Sequence, residues 1–157
     1  MKKLVLSVFV MFIVSHSQAQ SVEGHGDAHA YEQAIGLRGG FGGGVTYKQQ
    51  LGSEVNYGEA ILNFWDRLLT IRALYERTQT TNVDGLRWYY GGGPVLGVGS
   101  EFNIGLGGVV GIEFTFFDIP INASLDVSPT VYLFQSEDER NNFDWQVGGF
   151  SLRYILR

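Results

Sequence analysis

Hydrophobic and polar residues alternate along most of the chain with a period of two, which is the pattern of β-strands. The clearest case is 103–116, where mostly bulky apolar residues at even positions alternate with mostly small or polar residues at odd positions. The segment 121–128 repeats this alternation after 117–120, where a proline ends a tight hairpin turn. These two segments predict a pair of antiparallel strands.

The rest of the chain predicts six more strands, separated by glycine-rich or polar stretches. They lie near 34–41, 44–51, 57–65, 68–78, 86–98 and 143–156. Most of the segments are long enough for a tilted transmembrane strand, which needs about 9–11 residues. No helical periodicity competes with this pattern. The sequence therefore predicts an all-β fold, an eight-stranded antiparallel up-and-down transmembrane β-barrel.

The alternation fits either a membrane barrel with its apolar face outward or a lipocalin-like barrel with that face inward. Residue size separates the two alternatives, because an eight-stranded barrel has a lumen only wide enough to be filled by side chains. We therefore expect the bulky face to contact lipid. The lipid-facing prediction comprises Leu37, Tyr47, Leu62, Ile71, Ile112, Phe114, Phe116, Leu125, Phe150, Leu152 and Tyr154.

The opposite face is mostly small but carries isolated charges of both signs. Buried charges are tolerated only when they are paired, so we expect an interior polar network; the alternative places some of these residues at strand ends in water. The predicted network comprises Arg38, Lys48, Glu59, Arg72, Glu76, Glu113, Asp126 and Arg153. Aromatic residues near strand ends suit the girdles of a membrane barrel or hairpin edge packing. These are Tyr31, Tyr57, Trp65, Trp88, Trp145 and Tyr154.

The N-terminus has the pattern of a secretory signal peptide. Lys2 and Lys3 precede the apolar run 4–14, and small residues at 17 and 19 mark a cleavage site. A membrane anchor is the alternative, but the run is well short of the ~20 residues that span a bilayer. We expect a signal peptide over 1–19, a flexible periplasmic lead-in over 20–33 and the barrel over 34–157. Cleavage leaves 138 residues with a net charge of −7.

Composition narrows the possible functions. Charged residues make up 17% of the 157-residue chain, against about a quarter in ordinary soluble domains. There are 22 glycines and no cysteine, which excludes disulfides, thiolate metal sites and a cysteine nucleophile. The formal net charge of −5 argues against a nucleic-acid partner, since phosphate binding needs clustered Lys and Arg.

The chain offers little catalytic or metal-binding chemistry. Barrel enzymes that act on lipid A use a histidine with a serine and a carboxylate, but His16, His25 and His29 all precede the predicted strands. His25 and His29 could hold a metal with Asp27, although a solvated tail explains them better. The glycine-rich run 39–44 lacks the lysine of a phosphate loop. The charged run 136–140 could bind cations or a surface partner, or be a solvated loop tip. We predict no catalytic residue, metal or cofactor, and a protein that is not an enzyme.

Several segments resemble the small outer-membrane β-barrel proteins common in Bacteroidota, with an architecture like the eight-stranded transmembrane domains of OmpA and OmpX. They are AIGLRGGFGGGVTYKQQL, LTIRALYER, GLRWYYGGG, GIEFTFFDIPINASLDVSP and DWQVGGFSLRYILR, spread over 34–157. Positions where such proteins carry inward polar residues are occupied here by Arg38, Lys48, Arg72, Glu113, Asp126 and Arg153.

The resemblance implies a monomer in the outer membrane of a Gram-negative envelope, reached by Sec-type export, with both termini in the periplasm. Its partners would be outer-membrane lipids and, during insertion, the barrel assembly machinery. The expected function is a structural or surface-interaction role, with a lumen plugged by polar side chains. The alternative is a secreted soluble lipocalin-like barrel that binds a small apolar ligand.

Overall fold

The computed structural model describes residues 30–40, 42–66, 68–99, 102–135, 143–144 and 148–156. The predicted signal peptide, His25, His29, Trp145 and the charged run 136–140 lie outside these residues. The strands are β1 (Gln33–Gly40), β2 (Gly43–Leu51), β3 (Ser53–Trp65), β4 (Leu68–Thr80), β5 (Leu86–Val98), β6 (Phe102–Thr115), β7 (Ile121–Val127), β8 (Thr130–Gln135), β9 (Phe143–Asp144) and β10 (Gly148–Leu156). No helix in the described part of the chain is long and apolar enough to cross a membrane.

The ten segments form eight barrel strands. From β1 to β6 each strand pairs antiparallel with the next, and β10 closes the sheet by pairing with both β1 and β7. The first half of β6 pairs with β8 and the second half with β7, so β7 and β8 occupy one place in the barrel. The short β9 pairs with β8 and shares the place of β10. The predicted closed eight-stranded antiparallel barrel is confirmed.

The seventh barrel strand is longer than the sequence pattern indicated. The predicted strand 121–128 ends at Pro129, which has no N–H to donate to a ladder. The Pro129 carbonyl nevertheless accepts a hydrogen bond from the Gly108 N–H at 2.9 Å, and pairing resumes at Thr130. The proline is therefore an interruption within one strand rather than its end.

The third strand also begins earlier than predicted. Only Gly52 separates β2 from β3, whereas the predicted strands 44–51 and 57–65 left residues 52–56 between them. Gly52 has a positive φ of 71°, a conformation that glycine adopts without steric cost. A register shift between Gln50 and Leu51 completes this tight hairpin.

Both chain ends of the barrel lie at the same end of the molecule, because Gln33 pairs with Leu156. We call this the terminal end. The connections 52, 81–85 and 116–120 also lie there, whereas Gly40, Trp65, Val98 and Gln135, the last residues of β1, β3, β5 and β8, lie at the opposite end. Most of these connections are short, so the barrel wall makes up nearly all of the described structure.

Candidate functional site

The two faces of the wall differ sharply in chemistry. Most of the bulky residues predicted to face lipid are exposed on the outside: Leu37, Ile112, Phe116, Leu125, Phe150, Leu152 and Tyr154, with Leu37 the most exposed at 70%. Tyr47, Leu62, Ile71 and Phe114 are half-buried. Their neighbours in the chain point into the lumen, which is the side where charge is concentrated.

All eight residues of the predicted network lie on the lumen side of the wall. Seven are buried and Arg72 is half-buried. The structure distributes them over three groups of ion pairs and one separate arginine, so that the network is not a single continuous chain of salt bridges.

The first group joins β1 to β7. Arg38 donates two hydrogen bonds to the Asp126 carboxylate, at 2.5 and 2.7 Å, and a third to the Ser151 hydroxyl at 3.0 Å. The Tyr89 hydroxyl donates to the same carboxylate at 3.1 Å. This bidentate geometry is the strong form of an arginine–carboxylate pair. Gly149 makes room for it, since a Cβ there would lie 2.1 Å from the Arg38 guanidinium.

The second group is centred on Arg153. Its guanidinium pairs with Glu59, which also accepts a hydrogen bond from the Thr46 hydroxyl. A further nitrogen of Arg153 donates to the Asn122 side-chain oxygen at 3.1 Å and to the Ser124 hydroxyl at 2.9 Å. These contacts come from four different strands, so they link opposite parts of the wall across the lumen.

The third group is centred on Lys48, which is fully buried. Its ammonium lies 2.8 Å from the Glu76 carboxylate and 3.0 Å from that of Glu113. Arg87 pairs with Glu113 from the other side at 2.8 Å. The Lys48 nitrogen also lies 4.2 Å from the centre of the Tyr89 ring, a distance suited to a cation–π interaction.

Tyr31 closes this group from the terminal end, although it precedes β1. Its hydroxyl donates to Glu113 at 3.0 Å, and its ring centre lies 5.3 Å from that of Tyr57 and 5.2 Å from the Arg87 guanidinium carbon. Burial raises the pKa of the Tyr31 hydroxyl well above its usual range, which keeps the hydroxyl protonated as a donor.

The placement of Tyr31 and Tyr57 in an aromatic girdle is therefore wrong. Both are buried in the lumen, at 4% and 0% exposure. Trp65, Trp88 and Tyr154 are exposed on the outside. Proximity to a strand end does not determine the face on which a side chain lies, because each residue step along a strand changes the face.

Arg87 and Tyr89 also lie in the lumen, although neither was among the residues predicted to do so. Both are buried. Their position in the alternation was the available signal, since they share the odd positions of β5 with the small residues Gly91 and Gly93. Tyr89 was missed because size alone placed bulky residues outside. Its cross-strand partner on β6, Gly111, leaves room for it, since a Cβ at Gly111 would lie 2.7 Å from the Tyr89 ring.

Arg72 stands apart from the three groups. It reaches across the lumen to the interruption at Pro129, donating to the Ser128 hydroxyl at 2.5 Å and to the Ser128 carbonyl at 3.1 Å. The guanidinium therefore stabilises the region where the seventh barrel strand is interrupted.

Apolar side chains also lie in the lumen. Ile61, Leu74, Tyr89 and Val109 form a buried apolar cluster between the charged groups. Within the described residues, no group of three or more His, Asp or Glu side chains is arranged to hold a metal ion. Packed ion pairs and apolar side chains give this interior the character of a plug.

Comparison with known proteins adds no family to this description. No protein-family model matches the chain, and searches of curated proteins and of solved structures find no match.

Proposed function

We propose that this protein is an outer-membrane β-barrel with a side-chain-plugged lumen and a structural or surface-interaction role. The observation that carries the proposal is the reversed distribution of side chains. Ion pairs occupy the inside of the barrel, while the large apolar side chains are exposed on the outside. This is the distribution expected of a barrel surrounded by lipid.

The extent of the apolar outer face supports a membrane environment. Exposed large apolar residues occur on every long strand of the barrel, including Leu37, Phe64, Tyr75, Leu106 and Leu125. Soluble monomers rarely expose contiguous apolar patches beyond a few hundred Å². Each Å² of apolar surface moved from water to an apolar medium contributes about 25 cal/mol, so lipid contact would strongly stabilise this surface.

Aromatic residues lie near both ends of the outer face. Phe64, Trp65 and Phe102 lie at the end opposite the termini, while Phe116 and Tyr154 lie at the terminal end. Aromatic girdles at both interfaces are typical of transmembrane barrels. Their separation along the strands supports an orientation with the barrel axis crossing the bilayer.

A filled lumen favours structural or surface roles over conduction and catalysis. A soluble lipocalin-like carrier would need an apolar cavity, whereas the described lumen is occupied by Arg38, Lys48, Glu59 and Arg153 with their partners. The proposal includes export directed by 1–19, insertion by the barrel assembly machinery and a monomeric barrel. Surface partners would meet the connections opposite the termini.

Cell fractionation combined with unheated and boiled SDS gels tests this proposal. Closed membrane barrels commonly resist SDS until boiled, so we expect two mobilities and recovery in the outer-membrane fraction. Boiled protein provides the unfolded reference in the same gel. A protein recovered in the soluble fraction without detergent, with one mobility, would contradict the proposal.

A further inference from the structure

The segment before β1 places Tyr31 in the terminal end of the lumen. In β1 the side chains that face the lumen belong to even positions such as Ala34 and Arg38, so a continued strand would turn residue 31 outward. The chain bends at Glu32 instead, and Tyr31 is buried at 4% exposure. The position of Tyr31 therefore depends on the contacts of its own side chain and not on the alternation of the strand.

Three barrel residues surround the Tyr31 phenol with groups that suit an aromatic ring bearing a hydroxyl. The Glu113 carboxylate accepts a hydrogen bond from the hydroxyl at 3.0 Å, and a charged acceptor makes this bond a strong one. The Tyr57 ring is tilted by 47° at 5.3 Å between ring centres, within the range of favourable aromatic pairs. The Arg87 guanidinium carbon lies 5.2 Å from the Tyr31 ring centre, as in cation–π contacts. Ile155 packs against the same cluster.

The Tyr31 phenol can leave this position without stranding a buried charge. Glu113 keeps the Lys48 ammonium at 3.0 Å and the Arg87 guanidinium at 2.8 Å, so its carboxylate remains paired when the Tyr31 hydroxyl is absent. Removing one partner of a buried ion pair is costly, whereas this hydrogen bond is additional to two ion pairs. Tyr31 also precedes the β1 ladder, which begins at Gln33. These features are typical of a contact that opens locally while the rest of the fold stays intact.

We propose that Tyr57, Arg87 and Glu113 form a binding site for a phenol, and that the chain's own Tyr31 occupies this site as a reversible latch. The docked latch covers the Glu113 carboxylate from the terminal end of the lumen. When the latch is released, the same site is open to water and to a small phenol from solution. The inference requires only the closed barrel, so it does not depend on the medium that surrounds the outer face.

Binding of p-cresol, which is the tyrosine side chain as a free molecule, tests the site. The protein is prepared in detergent micelles with carbon-13 in its isoleucine methyl groups. The Ile155 signal reports the site, and the signal of the exposed Ile35 reports partition of p-cresol into the micelle. Tyr31→Ala empties the site, and Tyr75→Ala is the matched control because it removes an exposed tyrosine from the outer face. We expect Tyr31→Ala to bind p-cresol at least about tenfold more tightly than wild type or Tyr75→Ala, in which the latch competes.

Two further measurements separate a phenol site from an apolar cavity and a reversible latch from a fixed plug. Toluene should bind Tyr31→Ala about tenfold more weakly than p-cresol, because it has no hydroxyl to donate to Glu113. Tyr31→Phe weakens the latch by the same hydrogen bond, so p-cresol should bind this variant about tenfold more tightly than wild type. Because Tyr31→Phe keeps the ring, it also protects the test against a folding defect in Tyr31→Ala.

Heat-dependent SDS mobility is measured on every variant to verify the closed barrel. Ile155 shifts that only follow those of Ile35 in every protein would mean partition into the micelle and would overturn the site. Equal affinity of Tyr31→Ala for toluene and p-cresol would overturn phenol recognition. Equal affinity of wild type and Tyr31→Phe for p-cresol would overturn the reversible latch. Each of these results would leave the proposed membrane role intact, since that role rests on the outer face.

Discussion

At the residue scale, the burial of charged side chains in the lumen depends on close pairing with groups of opposite charge. Arg38 and Asp126 illustrate this, because two short hydrogen bonds and a contribution from Tyr89 satisfy a carboxylate that water does not reach. The sequence could indicate that Arg38 and Asp126 share the inner face, since alternation fixes the face. It could not indicate that they meet, because 88 positions separate them and their approach depends on barrel closure.

Breaking this pair from one side should be costly. In Arg38→Met the Asp126 carboxylate stays buried without its cation, and losing one partner of a buried pair destabilises proteins by about 3–5 kcal/mol. The double variant Arg38→Met with Asp126→Asn removes the stranded charge and should recover much of that loss. Urea unfolding in vesicles, followed by tryptophan fluorescence, measures both values.

The control for that pair is the adjacent outward residue. Leu37→Ala changes a side chain that is 70% exposed, so its free energy of unfolding should shift far less than that of Arg38→Met. A similar loss in the two single variants would show that the Arg38–Asp126 pair has no special contribution.

At the element scale, alternation predicted where strands run but not where they are interrupted or how closely they approach. Pro129 looked like a strand end because proline cannot donate to a ladder, yet its carbonyl maintains pairing with Gly108. The inward tyrosines were missed for a related reason: residue size was averaged over a face, whereas available volume varies with the local glycines of neighbouring strands.

Gly93 in β5 should be required as a glycine, because the backbone of β4 approaches it closely. A Cβ at Gly93 would lie 1.9 Å from the Ala73 carbonyl oxygen, so the backbone itself would have to move. Gly93→Ala should therefore destabilise the barrel by about 1–3 kcal/mol, the range for overpacking. The same urea titration gives this value.

Gly39→Ala is the matched control, because a Cβ at that position meets no atom of the described residues within 4 Å. It should change the free energy of unfolding by no more than about 0.5 kcal/mol, as surface substitutions usually do. If Gly93→Ala changed the free energy of unfolding as little as Gly39→Ala, the close approach of β4 to Gly93 would be contradicted.

At the scale of the whole molecule, the fold class followed from pattern because alternation, strand number and residue size all agreed on one architecture. The charged residues of the lumen could also be predicted from the sequence, since alternation along each strand places every charged residue of the predicted network on the inner face. The residues that line the lumen at the terminal end could not be predicted, because Tyr31 precedes the first strand and no periodicity applies to it.

The plugged lumen predicts the electrical behaviour of the protein. Purified barrel added to a planar lipid bilayer should produce no steady open-channel current, because ion pairs and the apolar cluster around Leu74 occupy the lumen. A porin in the same bilayer serves as the positive control. A sustained conductance from the folded protein would contradict the plug.

The most direct test of the account is the environment of the outer face in a bilayer. The native chain contains no cysteine, so nitroxide labels can be attached singly through Leu37→Cys, Ile112→Cys and Leu125→Cys, with Asp118→Cys in an exposed turn as the control. In vesicles, we predict that the three strand labels collide frequently with oxygen and rarely with a water-soluble nickel reagent, and that the Asp118 label shows the reverse. Strand labels as accessible to the nickel reagent as the turn label would show that water, not lipid, surrounds the barrel.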